Sequence, residues 1–140
     1  MKYKFLPHTA DAKFQSFGKT LEEAFKNAAY AMTDVITDHK KVKPKIKKTI
    51  RIKSENQEAL LYDFLERFLI LLDTKRFLLR RINKLKIEKK DKSLILTALI
   101  HGDNNLKIYP TKTTIKAVTY QEMFIKKSEK GWIVQVVVDI

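Results

Sequence analysis

The sequence contains no cysteine among its 140 residues, and it has only 3 glycines and 3 prolines. The absence of cysteine excludes a disulfide framework, thiolate-ligated zinc or iron–sulfur sites and a thiol nucleophile, and it favours an intracellular, cytoplasmic location. Because glycine and proline are scarce, long flexible linkers are not expected. The sequence therefore predicts one continuous domain over residues 1–140.

Long apolar runs are also missing. The most hydrophobic stretch, residues 60–72, is interrupted by Asp63, Glu66 and Arg67, and it falls short of the roughly 18 apolar residues that a membrane span requires. Residues 1–8 lack the apolar core of a signal peptide. We therefore expect no membrane partner.

The usual signatures of catalysis are absent as well. There is no Gly-rich phosphate loop, no G-x-S-x-G elbow and no H-E-x-x-H helix. The three histidines, His8, His39 and His101, are far apart in the sequence. A metal-dependent hydrolase built on His8, Asp11 and Asp139 would lack a second base and a recognisable nucleophile. We therefore expect a protein that is not an enzyme.

What the sequence has in excess is positive charge. Its 29 Lys and Arg against 16 Asp and Glu give a net charge of +13. Such residues supply most sequence-independent affinity for nucleic acids, because they neutralise phosphates. One hypothesis is therefore a basic RNA-binding module, or tRNA chaperone, that acts without a protein partner; the other is a lysine-rich surface that serves only solubility. The candidate surfaces are residues 40–53 and the cluster Lys75, Arg76, Arg80, Arg81, Lys84 and Lys86.

The hydrophobic pattern changes its period along the chain, and this predicts the fold class. Helical spacing follows two candidate capping boxes, at residues 20–23 and 54–57, and predicts one helix to about residue 36 and a second through residue 72. Alternating patterns predict strands at residues 2–7 and 12–18, in the second half of 40–53, and at 82–88, 93–100, 113–118, 121–128 and 132–140. This order indicates an α+β fold, in which a mostly antiparallel mixed β-sheet carries two helices packed on one face.

The loop at residues 7–11 is the first of two unusual places. Pro7 ends strand pairing, and His8, Thr9 and Asp11 follow it closely. These side chains could turn inward and coordinate a ligand, or Thr9 and Asp11 could bond their own backbone, as such residues commonly do. The loop alone favours the second alternative.

The C-terminal strand is the second unusual place. Residues 132–138 are apolar on nearly both faces, and the strand runs directly into Asp139 and Ile140. The carboxylate of Asp139 and the α-carboxylate of Ile140 gather anionic oxygens in a small volume, which a lysine or a metal cation must neutralise. Without cysteine, a metal site would use oxygen ligands, and Ca²⁺ tolerates irregular oxygen shells better than Mg²⁺.

Six sequence blocks, in order along the whole chain, resemble the archease family. They are HTAD at 8–11, GKTLEEAF at 18–25, AMTD at 31–34, LLYDFL at 60–65, KAVTY at 116–120 and the terminal Asp139-Ile140. The resemblance implies a non-enzymatic partner of the GTP-dependent tRNA-splicing ligase, a manganese enzyme that joins the RNA ends left by intron removal. It implies that the chain promotes guanylylation of the ligase, restores its multiple turnover and broadens its nucleotide choice.

The same resemblance implies a bound divalent metal near the first loop and the chain end. Ca²⁺ is the first expectation, with Mg²⁺ or Mn²⁺ as alternatives. Carried over to this sequence, the ligands are Asp11, Asp139 and the α-carboxylate of Ile140, with His8 and Asp38 as weaker candidates.

Two positions depart from the family pattern. Lys13 stands where a small residue is usual, and Gln121 stands where a histidine is common. The change at Gln121 leaves no imidazole at that position, whereas the carboxylates are untouched. Among partners we expect the ligase first, with weak RNA or tRNA contact through the basic surface.

Overall fold

The structure is a computed structural model that describes residues 1–8 and 10–140, so Thr9 of the predicted polar loop lies outside the described residues. The described residues form eight strands, two α-helices and two short 3-10 turns at His39–Lys41 and Leu106–Ile108. The helices are α1 (Leu21–Ile36) and α2 (Gln57–Lys75). The strands are β1 (Tyr3–Leu6), β2 (Asp11–Gly18), β3 (Ile46–Ser54), β4 (Leu78–Lys90), β5 (Ser93–Asp103), β6 (Ala117–Val118), β7 (Phe124–Ser128) and β8 (Gly131–Asp139).

The strands are divided between two antiparallel sheets. β1, β2, β8 and β6 lie side by side in a five-stranded sheet, in which β7 also pairs with β8. β3, β5 and β4 form a three-stranded sheet in that order. Every ladder among the described strands is antiparallel. Because β8 has partners on both sides, it is a central strand, as its continuous apolar sequence indicated.

Both helices pack against both sheets. α1 contacts β2 and β8 of the five-stranded sheet and β4 of the three-stranded sheet, and α2 contacts β3, β4 and β5 as well as β6 and β7. Ten of the 16 residues of α1 are buried, because it has a sheet on each side. The α+β class, the two helices and the antiparallel pairing are confirmed. Neither helix in the described part of the chain is long and apolar enough to span a membrane.

The two helix starts differ in how well the sequence predicted them. Thr20 caps α1 as expected, since its hydroxyl oxygen accepts from the Glu23 N–H at 3.1 Å. The second candidate box was wrong, because Asn56 is the cap of α2 and its side-chain oxygen accepts from the Ala59 N–H at 2.8 Å. The Ser54 hydroxyl instead donates to Asp63 at 2.6 Å and ties the end of β3 to α2.

Two strands have different bounds in the structure from those that the sequence predicted. The predicted strand 113–118 shortens to β6, and the segment before it is tied to α1 by the Lys112 N–H, which donates to the Ile36 carbonyl at 2.8 Å. The predicted strand 82–88 lengthens to β4, with irregular register between Leu79 and Arg81 and between Ile82 and Lys84. The long β4 and β5 then make the three-stranded sheet a broad surface.

Candidate metal site and its surroundings

Asp11 and Asp139 lie directly opposite each other on neighbouring strands. Asp11 begins β2, Asp139 ends β8, and the two are register partners in the antiparallel ladder. Side chains that face each other in this way have Cβ atoms about 5 Å apart, and like charges at that position repel. Within residues 1–8 and 10–140, no lysine or arginine forms an ion pair with either carboxylate. Neutralisation by lysine, the simpler alternative, is therefore not what the fold provides.

The end of β8 is held in place. The Ile140 side chain packs against the hydrophobic core. The Lys116 N–H donates to the Asp139 carbonyl oxygen at 2.7 Å, and Ala117 is the register partner of Asp139 on its other side. Asp139 and Ile140 are therefore held in place by the neighbouring strand and by the core.

His8 stands beside Asp11 with one ring nitrogen occupied and the other unused. Its Nε2 lies 2.8 Å from Glu122 Oε2, so Nε2–H donates to that carboxylate. In the neutral ring this leaves a lone pair on Nδ1, which is buried, has no hydrogen-bond partner among the described residues and lies 3.6 Å from Asp11 Oδ2. A lone pair facing a carboxylate is favourable only when a proton or a cation lies between them. His8 Nδ1 is thus a buried nitrogen without a hydrogen-bond partner in the described part of the chain, next to the carboxylate of Asp11.

Glu122 is the residue of this site that the sequence did not reveal. Besides His8, it accepts from Lys13 Nζ at 3.1 Å, and the hydrogen bonds from His8 and then Lys13 lower the pKa of the Glu122 carboxyl. Lys13, one of the two departures from the family pattern, therefore has a structural partner. The sequence feature that could have indicated Glu122 is its position, two residues after Tyr120 at the end of the KAVTY block.

A chain of amides fixes the Glu122 loop on the sheet. Gln135 Nε2 donates to the Glu122 carbonyl at 2.8 Å, and Gln15 Nε2 donates to Gln135 Oε1 at 2.8 Å. Both loops that border the site contain a left-handed residue, Ala10 with φ 62° and Glu122 with φ 53°. Such conformations are uncommon outside glycine and cluster at functional sites. Gln121, the other departure, is exposed.

The predicted metal ligands combine two aspartate side chains with the chain end. Within residues 1–8 and 10–140, no three His, Asp or Glu side chains form a metal-binding group by themselves. Asp38 caps the turn at His39–Lys41, where its side chain accepts from the Lys40 N–H at 3.3 Å. The predicted ligands that this leaves are the oxygens of Asp11, Asp139 and the Ile140 α-carboxylate, with His8 Nδ1 beside Asp11, and Ca²⁺ is the cation that tolerates an irregular shell of this kind best.

The other two histidines lie in different environments. His39 is buried with its ring stacked on Tyr30, the centroids being 4.8 Å apart, and His101 lies on β5 of the three-stranded sheet. Burial lowers the pKa of His39, with the nearby charges of Arg80 and Lys40 acting in the same direction and Asp34 opposing them. His39 is therefore a structural residue that resists protonation.

Acid should destabilise the fold through His39. Below about pH 6.5, the ordinary pKa of histidine, the unfolded chain takes up a proton that the buried ring resists, so the free energy of unfolding falls as the pH falls. We expect the melting temperature to fall between pH 7 and pH 5, and to fall less in His39→Phe, which keeps the aromatic stack without a titrating group. Thermal melts of both proteins across this range test it, and equal pH slopes would contradict it.

The fold recurs in solved structures. The solution structure of a Methanobacterium thermoautotrophicum protein is 34% identical to this chain and superposes with a TM-score of 0.85, covering 99% of this chain and 98% of that one. The crystal structure of a Thermotoga maritima protein described as an archease and possible chaperone is 19% identical, with a TM-score of 0.61 and coverage of 98% and 96%. The chain therefore has the archease fold.

Sequence comparison gives the family. Residues 3–140 match the Archease protein family, and the chain belongs to it. Relatives named "Protein archease" include one from Methanosarcina barkeri, 43% identical over 140 residues with 99% of this chain and 96% of the relative covered. Another, from Pyrococcus furiosus, is 37% identical over 141 residues with 99% of both chains covered. The resemblance seen in the six sequence blocks is confirmed.

Proposed function

We propose that this chain is a non-enzymatic activator of the GTP-dependent tRNA-splicing RNA ligase, acting in the cytoplasm. In this role it promotes guanylylation of the ligase, restores multiple turnover and broadens the range of nucleotides that the ligase accepts. Family membership supports the class of function. The observation that supports the site is the opposed pair Asp11 and Asp139, which has no lysine or arginine partner among the described residues.

The site would hold a divalent cation through the carboxylates of Asp11 and Asp139 and the α-carboxylate of Ile140. Ca²⁺ suits these oxygens best, with Mg²⁺ or Mn²⁺ as alternatives, and such an ion would offer open coordination positions to phosphate oxygens. His8 is a further donor through Nδ1. Glu122 holds the opposite ring nitrogen of His8, which is how metal-binding histidines are commonly oriented. Asp38 is the weakest candidate, because its side chain already caps a turn.

Strand β8 gives the carboxylates their rigidity. Val134, Val136 and Val138 are fully buried in this central strand, so the position of Asp139 is fixed by the core. Functional groups on such elements keep their geometry better than groups on loops. Exposed Glu122 borders the pair on the solvent side, where a partner surface can approach. The chain would therefore present a rigid group of acidic oxygens to the nucleotide site of the ligase.

The test is RNA ligation by the ligase under single-turnover and multiple-turnover conditions. Wild-type chain should support repeated rounds of ligation, whereas Asp11→Asn and Asp139→Asn, which keep side-chain size and remove one charge, should lose most of this stimulation. Glu122→Gln should lower the stimulation roughly tenfold, which is a smaller loss than in the two aspartate variants, because Glu122 acts on the site through His8. Asp91→Asn, in the turn between β4 and β5, removes the same charge far along the chain from these residues and serves as the control.

Two results would count against this function. Wild-type stimulation that survives in both Asp11→Asn and Asp139→Asn would remove the site from the mechanism. Absence of any stimulation by a folded wild-type chain would remove the ligase as partner. Guanylylation of the ligase, followed separately with labelled GTP, shows which step the chain acts on.

A further inference from the structure

The positive charge of this chain is concentrated in two segments. Residues 40–53 contain 8 Lys and Arg and no acid, and residues 75–92 contain 9 with 2 acids, so together they hold 17 of the 29 basic residues. The rest of the chain, with 12 basic and 14 acidic residues, is slightly acidic. The two segments contain β3 and β4, which are the outer strands of the three-stranded sheet. Ten of the 17 basic residues lie in these two strands, so much of the excess charge belongs to one sheet.

Strand register places six of these cations on the outer face of that sheet. In β3, Ile50 and Ile52 are buried toward the helices, and the residues alternating with them are exposed. β3 and β4 both pair with β5, so exposed residues of the two outer strands flank the same residues of β5. The resulting rows are Lys47–His101–Arg81, Thr49–Leu99–Lys84, Arg51–Thr97–Lys86 and Lys53–Ile95–Glu88.

The six cations of these rows form two parallel lines with a neutral strip between them. The lines lie two strand spacings apart, about 10 Å, and successive rows are about 6.6 Å apart along the strands. The strip consists of the β5 residues, which are half-buried, whereas the cations are exposed. Among the described residues of this face, the one acid is Glu88, at its end, 3.8 Å from Lys86.

We propose that the outer face of the three-stranded sheet binds double-stranded RNA through its backbone. Two phosphate strands flank the wide, shallow minor groove of A-form RNA, as the two lines of cations flank the neutral strip. Within the strip, the Thr97 hydroxyl and the His101 ring are polar groups on half-buried residues that can bond 2′-hydroxyls. This proposal stands on the sheet alone and does not depend on the ligase.

Other occupants fit this face less well. None of the residues in the four rows is Phe, Tyr or Trp, so stacking with the bases of single-stranded RNA has no platform. The apolar residues of the strip, Ile95 and Leu99, are half-buried, whereas membrane-surface proteins insert apolar side chains that protrude. The face is broad, and the described residues form no helix or ribbon projecting from it that could enter the major groove of B-form DNA.

The first turn of α1 marks a border of this face. Thr49, Thr97 and Leu99 line a shallow hollow of about 750 Å³ that also reaches Glu22 and Glu23. These carboxylates lie on the side of the Lys84 and Lys86 line, where they repel phosphate. Replacing both by glutamine should therefore strengthen RNA binding, a change opposite in sign to the loss of a cation.

The experiment measures binding of a 24-base-pair RNA duplex by fluorescence anisotropy at several salt concentrations. Each cation that neutralises a phosphate contributes about 0.9 to the slope of log affinity against log salt. Arg51→Gln combined with Lys86→Gln, the two cations that flank Thr97, should weaken binding and reduce the slope by about 1.8. Lys107→Gln combined with Lys130→Gln lowers the net charge equally at exposed positions outside the sheet and should leave the slope unchanged.

The results separate this face from its alternatives. Weaker binding by the Arg51/Lys86 variant and tighter binding by Glu22→Gln combined with Glu23→Gln support the proposal. An equal loss of affinity in the Arg51/Lys86 variant and in the Lys107/Lys130 control would overturn the proposal, because it would show an effect of net charge alone. Equal affinity for a DNA duplex or a single strand of the same length, binding of phosphatidylserine vesicles through the same residues, or no RNA binding at low salt by wild-type chain would also overturn it.

Discussion

Calcium should raise the melting temperature of this chain, and Asp139→Asn should abolish the effect. A ligand that binds only the folded state stabilises it by about 2.7 kcal/mol at 100 times its dissociation constant. For a chain of 140 residues this corresponds to a rise of roughly 8 °C. The measurement is a thermal melt with calcium and after its removal by a chelator, repeated with Mg²⁺ and Mn²⁺ to rank the metals.

The melting temperature of the metal-free protein gives a second test of the Asp11 and Asp139 pair. Without a cation, Asp11 and Asp139 repel across the ladder, so neutralising one of them removes that repulsion. Asp139→Asn should therefore melt at the same temperature as metal-free wild type or higher, although it no longer responds to calcium. Asp91→Asn should respond as wild type does. A calcium shift of equal size in Asp139→Asn, or no shift in wild type at millimolar calcium, would exclude the site.

Gly102→Ala should be among the most destabilising single-methyl changes in the chain. A Cβ atom at Gly102 would lie 1.9 Å from the Leu78 carbonyl oxygen and 2.7 Å from Cζ of Phe77. Both contacts are far inside van der Waals distance, and the first is with backbone that cannot rotate away. Overpacking of this kind costs about 3 kcal/mol, which corresponds to a fall of roughly 9 °C in the melting temperature.

Thr97→Ala provides the matched control for Gly102→Ala. It also changes a small residue of β5, but on the half-buried outer side of the strand, and should alter stability by less than about 0.5 kcal/mol. Melting of Gly102→Ala within about 2 °C of wild type would contradict the packing argument. If the variant does not accumulate as folded protein, its yield relative to Thr97→Ala gives the same answer.

Features set by neighbouring residues could be predicted from the sequence. The Thr20 cap and the apolar spacing of α1 are local, because a helix is built from contacts three and four residues apart. The central position of β8 was also predictable, since only a strand covered on both faces is apolar at consecutive positions. The cap of α2 was misplaced because Ser54 and Asn56 are both good capping residues, and the bond from Ser54 to Asp63 decides between them.

Features set by long-range pairing could not be predicted from residue patterns. Asp11 and Asp139 suggested separate oddities, and only the ladder between β2 and β8 shows that they face each other. Glu122 reaches Asp11 through His8, 114 positions away, and its place just after the KAVTY block is the one sequence feature that marks it. Gly102 lies near the end of β5, where the backbone of Leu78 approaches too closely for a side chain, and this contact depends on the pairing of β4 with β5. The family resemblance predicted that Asp11 and Asp139 act together, and the fold shows that they are register partners.

The pairing of β2 with β8 has a consequence for biosynthesis. β2 ends at Gly18, and its partner β8 begins at Gly131. The edge of β2 that faces away from β1 can therefore complete its hydrogen bonds with β8 only after residue 139 has been synthesised. Contacts of such large sequence separation form slowly, and an unpaired strand edge is prone to aggregation in the meantime. The nascent chain therefore depends on its last strand to close the five-stranded sheet, and truncations before β8 should aggregate and not yield a smaller folded domain.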